Sequence, residues 1–227
     1  VTEALSGVAR PSAYRRREER PRRTRDAGST DYVLLIDRSA SMSGPVAEAA
    51  ADAALIMLEA LAGVQRDVAH AEARAGTGLE LDLRTALIVF DAEARVVKPL
   101  SGSMDDHVRR VLHAEIRSPR GATNDAAALA AASAELGIAR GIRGGSAQAP
   151  DGLARRRIVI LLSDGGTNDP IAAAHRLREL RAAGVRVHGI GLGSDEILQR
   201  YAPTSRRIDD PRGIAEALQQ LVQDELP

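Results

Sequence analysis

Short runs of consecutive apolar residues alternate along the chain with longer segments in which apolar residues recur every three or four positions. Three of the runs, at 32–36, 85–90 and 158–162, are typical of strands that are buried on both faces, and residues 185–190 predict a further strand. The periodic segments between them predict amphipathic helices. Strands that alternate with helices favour an α/β fold, a doubly wound and mostly parallel central sheet with helices on both faces.

The first periodic segment predicts a helix that Ser43 caps, with Pro45 in its first turn. Its inward face would carry Val46, Ala50, Ala54, Met57, Leu58 and Leu61. Residues 65–82 fit either a prolonged first helix or an insertion. Further helices are predicted at 104–116, 124–138, from 169 onward, at 195–201 and over 214–222, with edge strands at 94–97 and 207–208.

Polar residues follow two of the buried strands, at the points where these strands end. Asp37 ends the first strand and is followed at alternate positions by Ser39 and Ser41, and Asp164 ends the third. Ligands of open parallel sheets bind where loops leave the carboxyl ends of the strands. If the first loop curls over its strand end, the carboxylate and the two hydroxyls converge. Such a set of hard oxygen donors suits Mg²⁺.

These residues carry a resemblance to a known family. The segment Asp37-Arg38-Ser39-Ala40-Ser41 resembles the Asp-x-Ser-x-Ser motif of von Willebrand factor A domains, whose metal-ion-dependent adhesion site (MIDAS) holds a divalent cation. Residues 120–124 look like the threonine loop of that family, and residues 161–165 look like its second aspartate loop. The three motifs occur in the family's order, and the resemblance covers about residues 31–224.

The resemblance implies a metal site formed by Asp37, Ser39, Ser41, Thr123 and Asp164. Ser39 and Ser41 would ligate directly, Thr123 in at least one conformational state, and the two aspartates directly or through water. Mg²⁺ is the expected cation, with Mn²⁺ or Ca²⁺ as alternatives. An Asp or Glu carboxylate of a partner protein would complete the coordination sphere. Taken singly, the same residues also fit turn hydroxyls, a strand-end Asx turn or a helix cap.

Two residues depart from the usual motif without removing a ligand. Ala40 stands where the family usually has glycine, which is acceptable only if its φ is negative. Arg38 either pairs with the incoming carboxylate or lies solvated along the rim of the site. Glycines at 189, 191 and 193 lack the full dinucleotide-binding spacing, and we interpret them as places of close backbone packing.

Composition excludes several function classes. The chain has no cysteine, which excludes disulfides, zinc-finger spacing and thiol catalysis. No run reaches the ~18 apolar residues of a membrane span, and residues 1–30 lack the apolar core of a secretory signal. Thirty arginines beside one lysine, with abundant alanine, indicate a GC-rich bacterial genome. We therefore expect a bacterial cytoplasmic protein.

The net charge of zero is the sum of two unlike parts. Residues 1–30 hold eight arginines against four acidic residues and predict a basic, flexible tail or linker. Residues 31–227 form the predicted domain and carry 23 basic and 27 acidic side chains. Nucleic-acid binding is therefore not expected, except through the arginine-rich tail. The glycine-containing stretch 141–152 is predicted to be a surface loop.

Together these features predict a metal-dependent protein-interaction module and not an enzyme. The resemblance to soluble bacterial family members implies an adaptor for an AAA+ ATPase of the MoxR or chelatase type. The alternatives are an extracellular or surface adhesion module, or a signalling module without an ATPase partner. A Mg²⁺-dependent phosphohydrolase is disfavoured because Ser39 stands where that chemistry needs a second carboxylate. Nucleotide-binding Gly-x-x-x-x-Gly-Lys-Ser/Thr and hydrolase Gly-x-Ser-x-Gly motifs are absent.

Overall fold

A six-stranded sheet forms the centre of the computed structural model, which describes residues 28–76, 81–138 and 155–225. The strands are β1 (Gly28–Asp37), β2 (Leu81–Phe90), β3 (Ala94–Ser101), β4 (Arg156–Ser163), β5 (Arg186–Leu192) and β6 (Ser205–Ile208). The helices are α1 (Pro45–Ala75), α2 (Asp106–Ile116), α3 (Asp125–Glu135), α4 (Pro170–Ala182), α5 (Asp195–Tyr201) and α6 (Ile214–Glu225). The strand order is β3-β2-β1-β4-β5-β6, and only β3 pairs antiparallel to its neighbour. The predicted doubly wound α/β fold is confirmed.

Both faces of the sheet are covered, which explains the continuous apolar runs. Tyr32, Leu34 and Ile36 of β1 pack in a core with α1, α2 and α6. Val33 and Leu35 point to the opposite face, into a second core formed with α3, α4 and α5. Because successive side chains of a strand alternate between faces, a strand between two helical layers needs an apolar residue at every position.

The first helix is longer than a typical one and does not use the predicted cap. α1 continues to Ala75, and the N–H of Gly76 bonds to the carbonyl of Glu72 at 2.8 Å. This favours the prolonged helix over an insertion for residues 65–75, whereas residues 77–80 lie outside the described part. Ser43 was wrongly predicted as the cap, since the cap position belongs to Gly44 and no side chain bonds there. Pro45 follows directly and has no N–H that would need a cap.

Other boundaries differ by a few residues. β1 begins at Gly28, three residues before the domain boundary predicted at Asp31. The remaining tail residues 1–27 and the predicted loop 141–152 lie outside the described residues. In the part of the chain that the structure describes, no helix is both long and apolar enough to cross a bilayer.

Candidate metal centre

Three loops meet at the carboxyl edge of the sheet. We call residues 37–41 the serine loop, 120–124 the threonine loop and 163–168 the aspartate loop. The amide of Ala40 donates to the Gly121 carbonyl at 3.3 Å, and the amide of Arg120 donates to the Arg38 carbonyl at 2.7 Å. The amide of Asn168 donates to the Thr123 carbonyl at 2.9 Å. Backbone hydrogen bonds therefore bring together the three segments that hold all five predicted site residues.

Asp37 lies at the centre of this arrangement, with only 1% of its surface exposed. Its carboxylate accepts hydrogen bonds from the Ser39 amide at 2.7 Å and from the Ser163 hydroxyl at 2.6 Å. The hydroxyls of Ser39 and Ser41 are 3.1 Å apart. Burial, helped slightly by the negative charge of Asp164, raises the pKa of Asp37 to about 6, although the hydrogen bonds from Ser163 and Ser39 act in the opposite direction. The loop thus curls over the strand end as the spacing of the residues predicts.

The remaining two predicted site residues lie on the other two loops. Thr123 is buried and belongs to the threonine loop, whose backbone is hydrogen-bonded to the serine loop. Asp164 is half-buried directly after β4. Sequence reasoning missed Ser163, whose hydroxyl donates to Asp37 and accepts from the Gly165 amide at 3.2 Å. The sequence did contain a signal for this residue, because it is a polar side chain that ends an apolar strand directly before an aspartate.

The donors present fit a hard divalent cation. Among the residues that the structure describes, no three His, Cys, Asp or Glu side chains form a metal cluster. A cation at this edge therefore depends on hydroxyl oxygens as well as on Asp37 and Asp164. The Asp37 carboxylate is desolvated, so a positive ion beside it would offset the cost of burying its charge. The ligand roles of the five residues stay a prediction.

Arg38 occupies neither of the two positions predicted for it. Its side chain is 4% exposed and forms ion pairs with Asp91 at 3.0 Å and with Glu115 at 2.5 Å. Asp91 also pairs with Arg120 at 3.3 Å. The neighbouring ends of β2 and α2 thus supply two carboxylates, one buried and one partly buried, that bind the guanidinium inside the protein. Arg38 therefore neither lies solvated along the rim nor is left to pair with an incoming carboxylate.

The substitution of Ala40 for glycine is accommodated. No described residue other than glycine has a positive φ, and Ala40 begins a single 3₁₀ turn that ends at Met42. Ala40 therefore has the negative φ that its place in the motif requires.

Glycines place α5 against β5 and against the aspartate loop. A Cβ atom at Gly189 would lie 2.6 Å from the Cβ of Tyr201, and one at Gly191 would lie 2.8 Å from the Ser194 carbonyl oxygen. At Gly165, where φ is +124°, a Cβ atom would lie 2.0 Å from the Ser194 hydroxyl. The prediction of close backbone packing is confirmed at residues 189 and 191. It is wrong at Gly193, where an added Cβ atom would meet nothing within 4 Å and the backbone instead has a positive φ of +65°.

Comparison with known proteins agrees with the fold. A family model described as von Willebrand factor type A domain matches residues 32–167, more than half of the chain. No curated protein matches the sequence.

Several solved structures share the fold. Proximal thread matrix protein 1 from the mussel byssus has a TM-score of 0.61 at 16% identity, covering 86% of this chain but 47% of that one. The vWF domain of the type V pili tip protein Mfa5 from Porphyromonas gingivalis has a TM-score of 0.59 at 14% identity, covering 88% and 97%. Manganese-loaded TRAP protein from Plasmodium vivax has a TM-score of 0.54 at 20% identity, covering 85% and 72%. The chain thus spans about half of the mussel protein, and identities this low establish the fold alone.

Proposed function

Because the chain belongs to the von Willebrand factor type A domain family, we propose that it is a metal-dependent protein-interaction module that binds an acidic side chain of a partner. In this proposal Asp37, Ser39, Ser41, Thr123 and Asp164 hold a divalent cation at the carboxyl edge of the sheet. A bound cation supplies a coordination position that a carboxylate can fill. A charge-assisted contact at one point gives specificity from a small footprint.

The observation that carries the proposal is the buried Asp37 carboxylate beside the paired hydroxyls of Ser39 and Ser41. The Ser163 hydroxyl and the Ser39 amide orient this carboxylate, and the threonine and aspartate loops close the edge around it. Mg²⁺ is the proposed ion because carboxylate and hydroxyl oxygens are hard ligands that leave it several waters.

Two similar structures support a divalent cation in general. One structure of the mussel matrix protein has a zinc-occupied MIDAS motif, with a TM-score of 0.59 at 16% identity. The TRAP structure is loaded with manganese. Both facts belong to those proteins, and their extension to this chain is part of the proposal.

Thermal unfolding with and without metal tests the site. Mg²⁺ or Mn²⁺ at about a hundredfold over Kd should stabilise the fold by about 2.7 kcal/mol by mass action, which corresponds to a rise in Tm of roughly 5–10 °C. Asp37→Ala should abolish this rise. Asp31→Asn is the matched control, because Asp31 is a buried carboxylate at the opposite end of the same strand. Melting curves of the unaltered protein that millimolar metal leaves unchanged would refute the site.

The partner we propose is an AAA+ ATPase served by this domain in the bacterial cytoplasm. The support is the resemblance of the sequence to soluble bacterial family members. The second candidate, a surface adhesion module, is favoured by the likeness to the pilus tip domain. Capture from lysate with the Asp37→Ala variant as control separates the two. Metal-dependent recovery of an AAA+ ATPase supports the adaptor, and recovery of a surface component supports the adhesin.

A further inference from the structure

Asp125 is a buried carboxylate that the proposed metal site does not use. It begins α3, directly after the threonine loop, and is 1% exposed. Its carboxylate accepts hydrogen bonds from the Thr167 hydroxyl, from the Arg200 guanidinium at 3.1 Å and from the Tyr201 hydroxyl at 3.0 Å. Three donors from two other segments therefore converge on one side chain beside the threonine loop.

These donors connect the start of α3, directly after the threonine loop, to the aspartate loop and to α5. Thr167 belongs to the aspartate loop, whereas Arg200 and Tyr201 end α5. Arg200 also reaches the Gly165 carbonyl at 3.5 Å, so it contacts the aspartate loop as well. The glycine at 189 allows Tyr201 to pack directly on β5. Burial and the charge of Asp125 hold the pKa of Tyr201 well above its usual range, so this hydroxyl stays a donor.

Burying the Asp125 carboxylate costs free energy that its hydrogen-bond donors have to offset. A buried carboxylate is stable only when charge-assisted hydrogen bonds replace its hydration, and removing one partner of a buried pair leaves the other charge uncompensated. The backbone bond from Asn168 to Thr123 connects the same two loops a few residues away. The aspartate loop is therefore fixed to the threonine loop through both its backbone and the side chain of Asp125.

We infer that Asp125, with Arg200 and Tyr201, is a positioning unit that holds the threonine and aspartate loops at a fixed separation and thereby sets the cation affinity of the site. The inference rests on the proposed function, since the affinity it concerns is that of the proposed site. Asp125 itself does not ligate the cation. It acts on Thr123 and Asp164 through the loops that carry them, and groups that orient metal ligands in this way strongly affect affinity.

Titration with Mn²⁺ of the full chain tests the inference. Asp125→Asn keeps the size of the side chain but removes its charge, and should weaken Mn²⁺ binding about tenfold. Tyr201→Phe removes one hydrogen bond and should weaken binding less, which keeps the test available if Asp125→Asn does not fold. Glu225→Gln is the matched control. Glu225 is a buried carboxylate at the far end of the sheet, paired with Arg186 at 2.5 Å and with His188 at 3.0 Å.

A second readout needs no metal. The Asn168 amide, which donates to Thr123, should exchange with solvent faster in Asp125→Asn than in Glu225→Gln at equal global stability. Equal Mn²⁺ affinity of the unaltered protein and Asp125→Asn overturns the inference, and so does an equal loss in Glu225→Gln. Absence of Mn²⁺ binding by the unaltered protein refutes the proposed function instead. In that case the rate of hydrogen exchange at the Asn168 amide decides whether Asp125 holds the two loops together.

Discussion

Lys98, the single lysine of the chain, has an ammonium group that lies almost fully inside the protein. It donates to the carbonyl oxygens of Thr85 at 2.5 Å and Ser101 at 2.9 Å and to the Ser101 hydroxyl at 3.0 Å. Burial lowers its pKa from 10.5 to about 8, although the charges of Asp105 and Glu135 act in the opposite direction. Neutral acceptors satisfy its hydrogen bonds but do not fully replace its hydration.

This burial makes stability depend on pH in a defined direction. Between the folded pKa of about 8 and the unfolded value of 10.5, the unfolded chain binds more protons, so the free energy of unfolding rises with pH. We therefore compare the free energy of unfolding of the unaltered protein with that of Lys98→Met. From about pH 8 to about pH 10, the difference between the two should change by about 2 kcal/mol in favour of the unaltered protein. Urea unfolding of both proteins across this interval measures the shift. Parallel pH profiles would contradict it.

At the residue level, local motifs were predictable and long-range partners were not. Asp37, Ser39 and Ser41 lie within five positions, so strand-end geometry alone brings them together. The three donors to Asp125 lie 42, 75 and 76 positions further along the chain, and the local sequence pattern does not predict them. Arg38 was misplaced for the same reason, since Glu115 lies 77 positions away.

At the level of single elements, two glycines should respond in opposite ways to the same change. Gly189→Ala places a methyl group 2.6 Å from Tyr201, so it should destabilise the fold by about 1–3 kcal/mol through overpacking. Gly63→Ala lies in α1 with its nearest neighbour 4.0 Å away, at the flexible end of Arg66. It should stabilise the helix by about 0.5–1 kcal/mol. Denaturant midpoints of the two variants test this contrast, and destabilisation by both would show that the packing argument is incomplete.

Periodicity predicted which elements exist better than it predicted where they end. The apolar stripe of α1 was evident from its spacing, but its last turns, beyond Leu61, have mostly exposed side chains and no such stripe to mark them. Its start depends on Gly44 at φ +68°, a backbone conformation that no pattern of apolar residues encodes. The pattern of apolar residues indicates which side chains are buried, whereas local backbone geometry determines where a helix begins and ends.

At the scale of the whole molecule, we expect the basic tail and the mildly acidic domain to have independent functions. A chain that starts at residue 28 should keep the metal-induced rise in Tm, because the serine, threonine and aspartate loops all lie beyond it. It should lose any salt-sensitive retention on RNA or on anionic vesicles, which we assign to the arginines of residues 1–27. Retention assays at low and high salt compare the two chains. Unchanged retention of the shortened chain would place the basic contact in the domain.

The order of the strands needed the structure, although their alternation with helices indicated the fold class. The first and fourth strands lie side by side at the centre because the chain winds outward first to β3 and then to β6. This order places the ends of β1 and β4, and with them Asp37 and Asp164, next to each other. The candidate site therefore depends on topology as well as on motif.

The two outermost strands offer poor templates for another chain. β6 has four residues, two of them exposed arginines, and β3 carries the buried Lys98, Pro99 and an irregular register against β2. Short, charged and irregular edges resist edge-to-edge pairing. These edges therefore disfavour strand addition, both as a route to aggregation and as a mode of partner recognition, and favour a partner that recognises side chains and loops rather than unpaired sheet backbone.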